Sequence, residues 1–176
     1  MNSYLAQAHN NRWSNRRLLS ACLGLSNEEY LAPRTGFFPS IALTLRHILD
    51  VDQFYLAALT FDLEGQRKEL PEHLSLQEIV RFQTEADGRL VTYCEGLDEH
   101  ALGRRAGVVR ATGIIPERVD CLLLHLFQHQ IHHRGQVHAM LSGTRIPPPQ
   151  LDEFYLDGDL PLRASDELLP GQSRSH

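Results

Sequence analysis

The sequence predicts an all-α protein, a four-helix bundle with one long crossover connection and an extended C-terminal tail. Three observations predict it. Four segments carry apolar residues at steps of three and four, the period of a helix that buries one face. Between the third and fourth segments, residues 98–118 are punctuated by Gly103, Gly107, Gly113 and Pro116, which marks a long crossing. No sustained apolar–polar alternation competes with the helical period, so any strand is confined to that crossing, around Val108-Val109.

In the first segment Tyr4, Ala8, Asn11, Asn15, Leu18, Cys22 and Leu25 follow the helical step, with a polar centre that is odd for a core stripe. Gly24 and Ser26-Asn27-Glu28-Glu29 close it and offer the start of a short helical turn. Pro39-Ser40 opens the second helix, with Ser40 as N-cap and Ile41, Leu45, Ile48, Tyr55 and Leu59 as its main face; Asp52 fills the remaining slot. Residues 62–71 read as a polar connector. Ser75-Leu76-Gln77-Glu78 is a capping box, in which serine and glutamate each satisfy the other's free backbone donor. Leu76, Ile79, Ala86, Leu90, Cys94 and Leu97 continue the third helix. The fourth runs from about Glu117 to Leu141 and stops at Ser142-Gly143, where a glycine C-cap would end it, and Pro147-Pro148-Pro149 forbids further helix. Leu151, Phe154 and Tyr155 then fall in an extended tail packed on the bundle. One domain is expected over residues 1–169, with 170–176 disordered.

With 176 residues the chain fits one domain, which at this length buries roughly 70% of the surface its unfolded form exposes. A net charge of −5 argues against a dedicated nucleic-acid binder, which needs a basic surface for phosphate contacts. No apolar run approaches the roughly 18 residues of a membrane span. Cys22, Cys94 and Cys121 are odd in number and far apart, which disfavours a disulfide framework and a zinc ribbon. Reduced, buried cysteines in a cytoplasmic protein are the plainer reading. Leu19-Ser20-Ala21-Cys22 has the form of a lipoprotein cleavage site, but only Leu18 separates it from Arg16-Arg17, so it reads better as a helix end.

Ten histidines are many for this length, and five of them fall between residues 125 and 138. On the fourth helix Leu122, Leu126, His129, His133, Val137 and Met140 form one stripe. His125 and His132 flank it, and His138 lies opposite. Histidines at i and i+4 on one face aim two ring nitrogens at the same point, as a shared metal requires. The plain alternative is a pair of core histidines bonded to backbone or water. The spacing is not a zincin motif, because Gln130 stands where H-E-x-x-H has its glutamate. A third ligand must come from another helix. His47, at the edge of the second helix's apolar face, is the best candidate; His9, Asp50 and Asp52 are the alternatives.

The string from His129 to His138, HQIHHRGQVH, resembles the last-helix motif of the DinB/YfiT-like family. Asn11-Arg12-Trp13-Ser14-Asn15 resembles that family's first-helix segment, and Leu45-Arg46-His47-Ile48 the segment bearing its first metal histidine. Pro149-Gln150-Leu151-Asp152 is similar to its tail. The resemblance runs over nearly the whole chain, in the family's order. It implies a four-helix bundle with a divalent metal, nickel or zinc before iron or manganese, held by His47, His129 and His133. Relatives include thiol-dependent enzymes such as mycothiol-dependent maleylpyruvate isomerase and bacillithiol transferases. The resemblance carries over no catalytic residue beyond the ligands, and it suggests a homodimer.

Three histidines leave a coordination position open, for a water or a substrate thiol. Together with the resemblance, this implies a metal-dependent enzyme, a thiol S-transferase or a related isomerase or hydrolase, acting on a small molecule with a low-molecular-weight thiol as co-substrate. The alternative is a non-catalytic, metal-containing stress-response bundle acting through protein contacts, closed by His125 or His132. Asn11 and Asn15 could line the pocket or serve helix packing. Arg134, about 100° from His133, reads as a helix-packing or interface ion pair, and Gln136 as a support for the histidine face. Metal release is expected below roughly pH 6, near the free histidine pKa. No phosphate-binding glycine loop is present, which disfavours a nucleotide cofactor.

Overall fold

The computed structural model describes residues 3–166. Helix α1 covers Ser3–Cys22, the short α2 Asn27–Leu31, α3 Ile41–Leu59 and α4 Leu76–Glu95. The short α5, Glu99–Gly103, leads into strands β1, Arg105–Arg110, and β2, Gly113–Arg118; α6 follows at once over Val119–Leu141, and α7 spans Leu160–Asp166. The four long helices form a ring in which α1 and α3 each pack against both α4 and α6. Leu18, Ile48, Leu49, Leu56, Ile79, Leu90, Leu123 and Leu126 fill its centre, each at most 2% exposed. Among the described residues no helix is long and apolar enough to cross a membrane.

The helix starts are set locally. Ser40 Oγ accepts from the backbone N–H of Leu43, and Ser26/Glu29 and Ser75/Glu78 both form reciprocal capping boxes. The helix ends differ slightly from the sequence expectation. Helix α4 stops at Glu95, and α6 begins at Val119 because residues up to Arg118 belong to β2. Helix α6 ends on Ser142 in right-handed helical conformation, and Gly143 does not act as a left-handed cap. The connector after α3 contains a 3-10 turn at Gly65–Arg67.

The crossing is an antiparallel hairpin, with Val108 opposite Ile115 and Val109 opposite Ile114. Its turn closes on Gly113 at φ 120°, a conformation that L side chains rarely adopt. Ala106 and Val108 are fully buried, whereas β2 is largely exposed. The tail is not wholly extended. A 3-10 turn at Asp157–Asp159 leads into α7, Phe154 is buried 5.3 Å from Trp13, and His138 Nε2 lies 3.0 Å from the carbonyl oxygen of Pro149. Residues 170–176, expected to be disordered, lie outside the described residues.

The polar centre of α1 is explained by a closed ring of hydrogen bonds through all four long helices. Asn11 and Asn15 donate to Asp87 Oδ1 at 3.1 and 2.9 Å, and Gln83 donates to Asp87 and to Asp52 at 3.2 and 2.7 Å. Gln130 also donates to Asp52, and Arg134 Nη1 donates to the amide oxygens of Asn11, Asn15 and Gln130. All seven side chains are at least nine-tenths buried. Arg134 is thus a helix-packing residue as expected, but its partners are neutral amides and not a carboxylate. Asn11 and Asn15 serve helix packing and line no part of the histidine cavity.

Candidate metal centre

His129 and His133 stand one turn apart on α6, and His47 faces them from α3. One ring nitrogen from each lies within 4.8 Å of those of the other two, and the ring centroids are 4.4–4.9 Å apart. Nε2 of His47 and Nε2 of His129 are 2.9 Å apart. Nitrogens bound tetrahedrally to one zinc ion would stand about 3.4 Å apart, between those two values, so small ring rotations bring all three onto one ion. His129 Nδ1 is buried with no hydrogen-bond partner among the described residues, which marks a ring whose needs the protein does not meet. The donor set fits a divalent ion that accepts imidazole, and three histidines could hold it.

Gln136 prepares one of the rings. Its Oε1 is 2.9 Å from His133 Nδ1 and its Nε2 is 3.1 Å from His132 Nε2. The amide therefore accepts from the Nδ1–H of His133 and donates to His132, which leaves the lone pair of a neutral His133 on Nε2. Burial pushes the pKa of all three rings down. For His129 burial and then the neighbouring histidines take it to about 3, and for His47 burial is joined by the charge of His133. The rings are thus held in the neutral form that ligates a metal.

The cluster opens on a cavity of about 390 Å³, whose other lining includes Phe37, Val51, Tyr55, His125 and His132. Phe38 lies against His47, with centroids 4.4 Å apart, and 5.8 Å from His133. Tyr55 stands 5.0 Å from His125, and its hydroxyl accepts from Arg110 of β1 at 3.2 Å. The aromatic pair Phe37-Phe38 escaped the sequence reading because it lies in the irregular segment before α3, where helical periodicity says nothing. Its proximity to the Pro39-Ser40 cap was the available signal. His9 instead contacts Arg12, Asp52 is committed to the buried ring and Asp50 lines a different cavity, so none of the alternative third ligands joins the cluster. Cys22 and Cys94 are buried as expected, but Cys121 is exposed, pointing outward from the first turn of α6.

A helical bundle with three histidines converging at the foot of an open cavity defines a class of candidate metal-centre proteins. Residues 1–160 match the DinB family, and the chain belongs to that family. The protein YizA of Bacillus subtilis strain 168 is 28% identical over 131 residues, covering 72% of this chain and 79% of YizA. Protein DinB of the same organism is 27% identical over 145 residues, covering 74% and 80%. The fold is shared with the DinB-like protein YjoA of Bacillus subtilis, at TM-score 0.61 and 18% identity over 83% of this chain and 96% of that one. A DinB-like protein of Bacillus cereus ATCC 10987 has TM-score 0.60 and 18% identity, over 78% and 90%.

Proposed function

We propose that His47, His129 and His133 are the ligands of a divalent metal, nickel or zinc, and that the site transfers a low-molecular-weight thiol to an electrophilic small molecule. The observation that carries this reading is the convergence of three imidazoles, with no carboxylate among them, on an open cavity. Three protein ligands with a cavity in front suit a site that keeps a coordination position for substrate. A metal held there supplies a Lewis acid that favours thiolate over thiol at neutral pH.

The chain's own residues do the rest. His47 and the α6 pair tie two helices to one point, and Gln136 holds His133 with its lone pair on Nε2. Phe37 and Tyr55 line the cavity with aromatic rings, and a volume of about 390 Å³ accommodates a small molecule. With such an ion in place, a thiol's sulfur would bond to the electrophilic carbon as the leaving group departs with its electron pair, and the thiol proton would pass to solvent at the mouth.

The protein's cysteines are unsuited to be the nucleophile. Burial pushes the thiols of Cys22 and Cys94 up to about 12, and Cys121 does not line the cavity. Activity should therefore need an added thiol and survive replacement of all three cysteines. The assay is conjugation of a generic electrophile with glutathione, bacillithiol, mycothiol or coenzyme A, using metal-loaded protein and the His133→Ala variant. Turnover by the wild type alone supports S-transfer. Equal rates with every thiol leave the non-catalytic metal bundle as the better reading.

A further inference from the structure

A second cavity, of about 510 Å³, lies between α1, α6 and residues 150–155 and shares no lining residue with the histidine cavity. Arg134 lines it, although only 5% exposed. A guanidinium has five N–H donors in a planar fork. Among the described residues, the hydrogen bonds of Arg134 all leave from Nη1 and end on neutral amide oxygens. Among the described residues, the enclosed side-chain atoms without a partner are Trp13 Nε1, Arg34 Nε, Asp52 Oδ1 and His129 Nδ1. The Nε–Nη2 edge of Arg134 is therefore not sealed in protein, and the cavity that Arg134 lines lies beside it. That edge is the one that matches a carboxylate with two parallel hydrogen bonds.

Gly135 provides a second observation. It lies within a 23-residue helix, where glycine costs about 1 kcal/mol relative to alanine. A Cβ at this position would meet nothing within 4 Å, so packing does not require the glycine. Its missing side chain instead keeps the cavity open beside the guanidinium. Ile131, Leu151 and the Tyr155 ring supply apolar lining, and the negative charge of Asp152 opposes a dianion more than a monoanion.

We propose that this cavity binds a small monocarboxylate, with its carboxylate on the Nε–Nη2 edge of Arg134 and its apolar body against Ile131, Leu151 and Tyr155. The ligand class is an apolar organic monoacid, and the site is separate from the histidine centre. Benzoate is the probe, titrated calorimetrically into the full chain at constant ionic strength, with sulfate as the dianion control. Saturable benzoate binding, tighter than sulfate binding, is expected for the wild type. Gly135→Leu fills the cavity without touching the buried polar ring and should weaken binding by at least roughly tenfold, the equivalent of losing one charge-assisted contact. A helical melting transition at or above the wild-type temperature shows that this variant folds. Binding should persist in His129→Ala/His133→Ala, which removes the metal centre to which a carboxylate could attach. No saturable binding, equal binding by Gly135→Leu, or binding lost with the two histidines would each overturn the proposal.

Discussion

Asp52 sits on α3 with Oδ2 accepting from Gln83 and Gln130 and with Oδ1 enclosed and unpartnered among the described residues. Burial, and then the charge of Asp87, push its pKa up to about 8; burial takes Asp87 to about 6. A carboxyl whose pKa is raised on folding contributes stability below its unfolded value near 3.8, and loses it as pH rises through the folded value. Asp52→Asn mimics the protonated acid, so it should stabilise the protein by about 1–3 kcal/mol at pH 7, a gain that shrinks towards zero at pH 4. Urea unfolding at the two pH values measures this, and a variant weaker than wild type at pH 7 would contradict it. At this scale the sequence was partly legible. The i, i+4 stripe singled out His129 and His133, but periodicity left His47 level with His9, Asp50 and Asp52, because one helix's angles do not show what faces it. The same blindness hid Gln83, which looked like a gap between Ile79 and Ala86 and donates to Asp52 and Asp87, and it hid Asp87 itself, which accepts from Asn11 and Asn15.

Among the elements, the hairpin depends on one side chain outside it. Gln66, in the 3-10 turn after α3, donates from Nε2 to the carbonyl of Gly107 and accepts at Oε1 from the N–H of Val109, both at 2.9 Å. It thereby extends β1 with a side-chain rung and holds the hairpin beside α3, where Arg110 reaches Tyr55 on the cavity wall. Gln66→Ala removes both bonds from part-buried groups and should cost about 1–2 kcal/mol in urea unfolding. Unchanged stability would show the clamp to be idle. The long helices were legible because their caps and stripes agree. The hairpin was only hinted at by Val108-Val109, since β2 lies largely exposed and shows little alternation. Helix α7 went unread, although Pro161 in its first turn is a favoured start.

For the whole molecule, the histidine cluster joins α3 to α6, so an ion bound there would stabilise the assembled bundle, by an amount that grows with the logarithm of its affinity. Because burial depresses the pKa of His47, His129 and His133, these rings resist protonation more than free histidine does. A histidine whose pKa falls on folding contributes stability above its unfolded value near 6.5, and that stability is lost as pH falls. Metal release should accordingly begin below about pH 6 and extend well under the free histidine value, with the melting temperature of the loaded protein falling to that of chelator-treated protein over the same range. A melting temperature insensitive to chelator at pH 7 would count against a bound ion.

Elemental analysis of the purified full chain tests the metal centre most directly. Wild type should carry about one divalent ion per chain, as a single three-histidine site requires. His138→Ala, whose ring instead contacts the Pro149 carbonyl, should match it. The His129→Ala/His133→Ala double variant should carry almost none, and equal metal content in wild type and double variant would contradict the assignment.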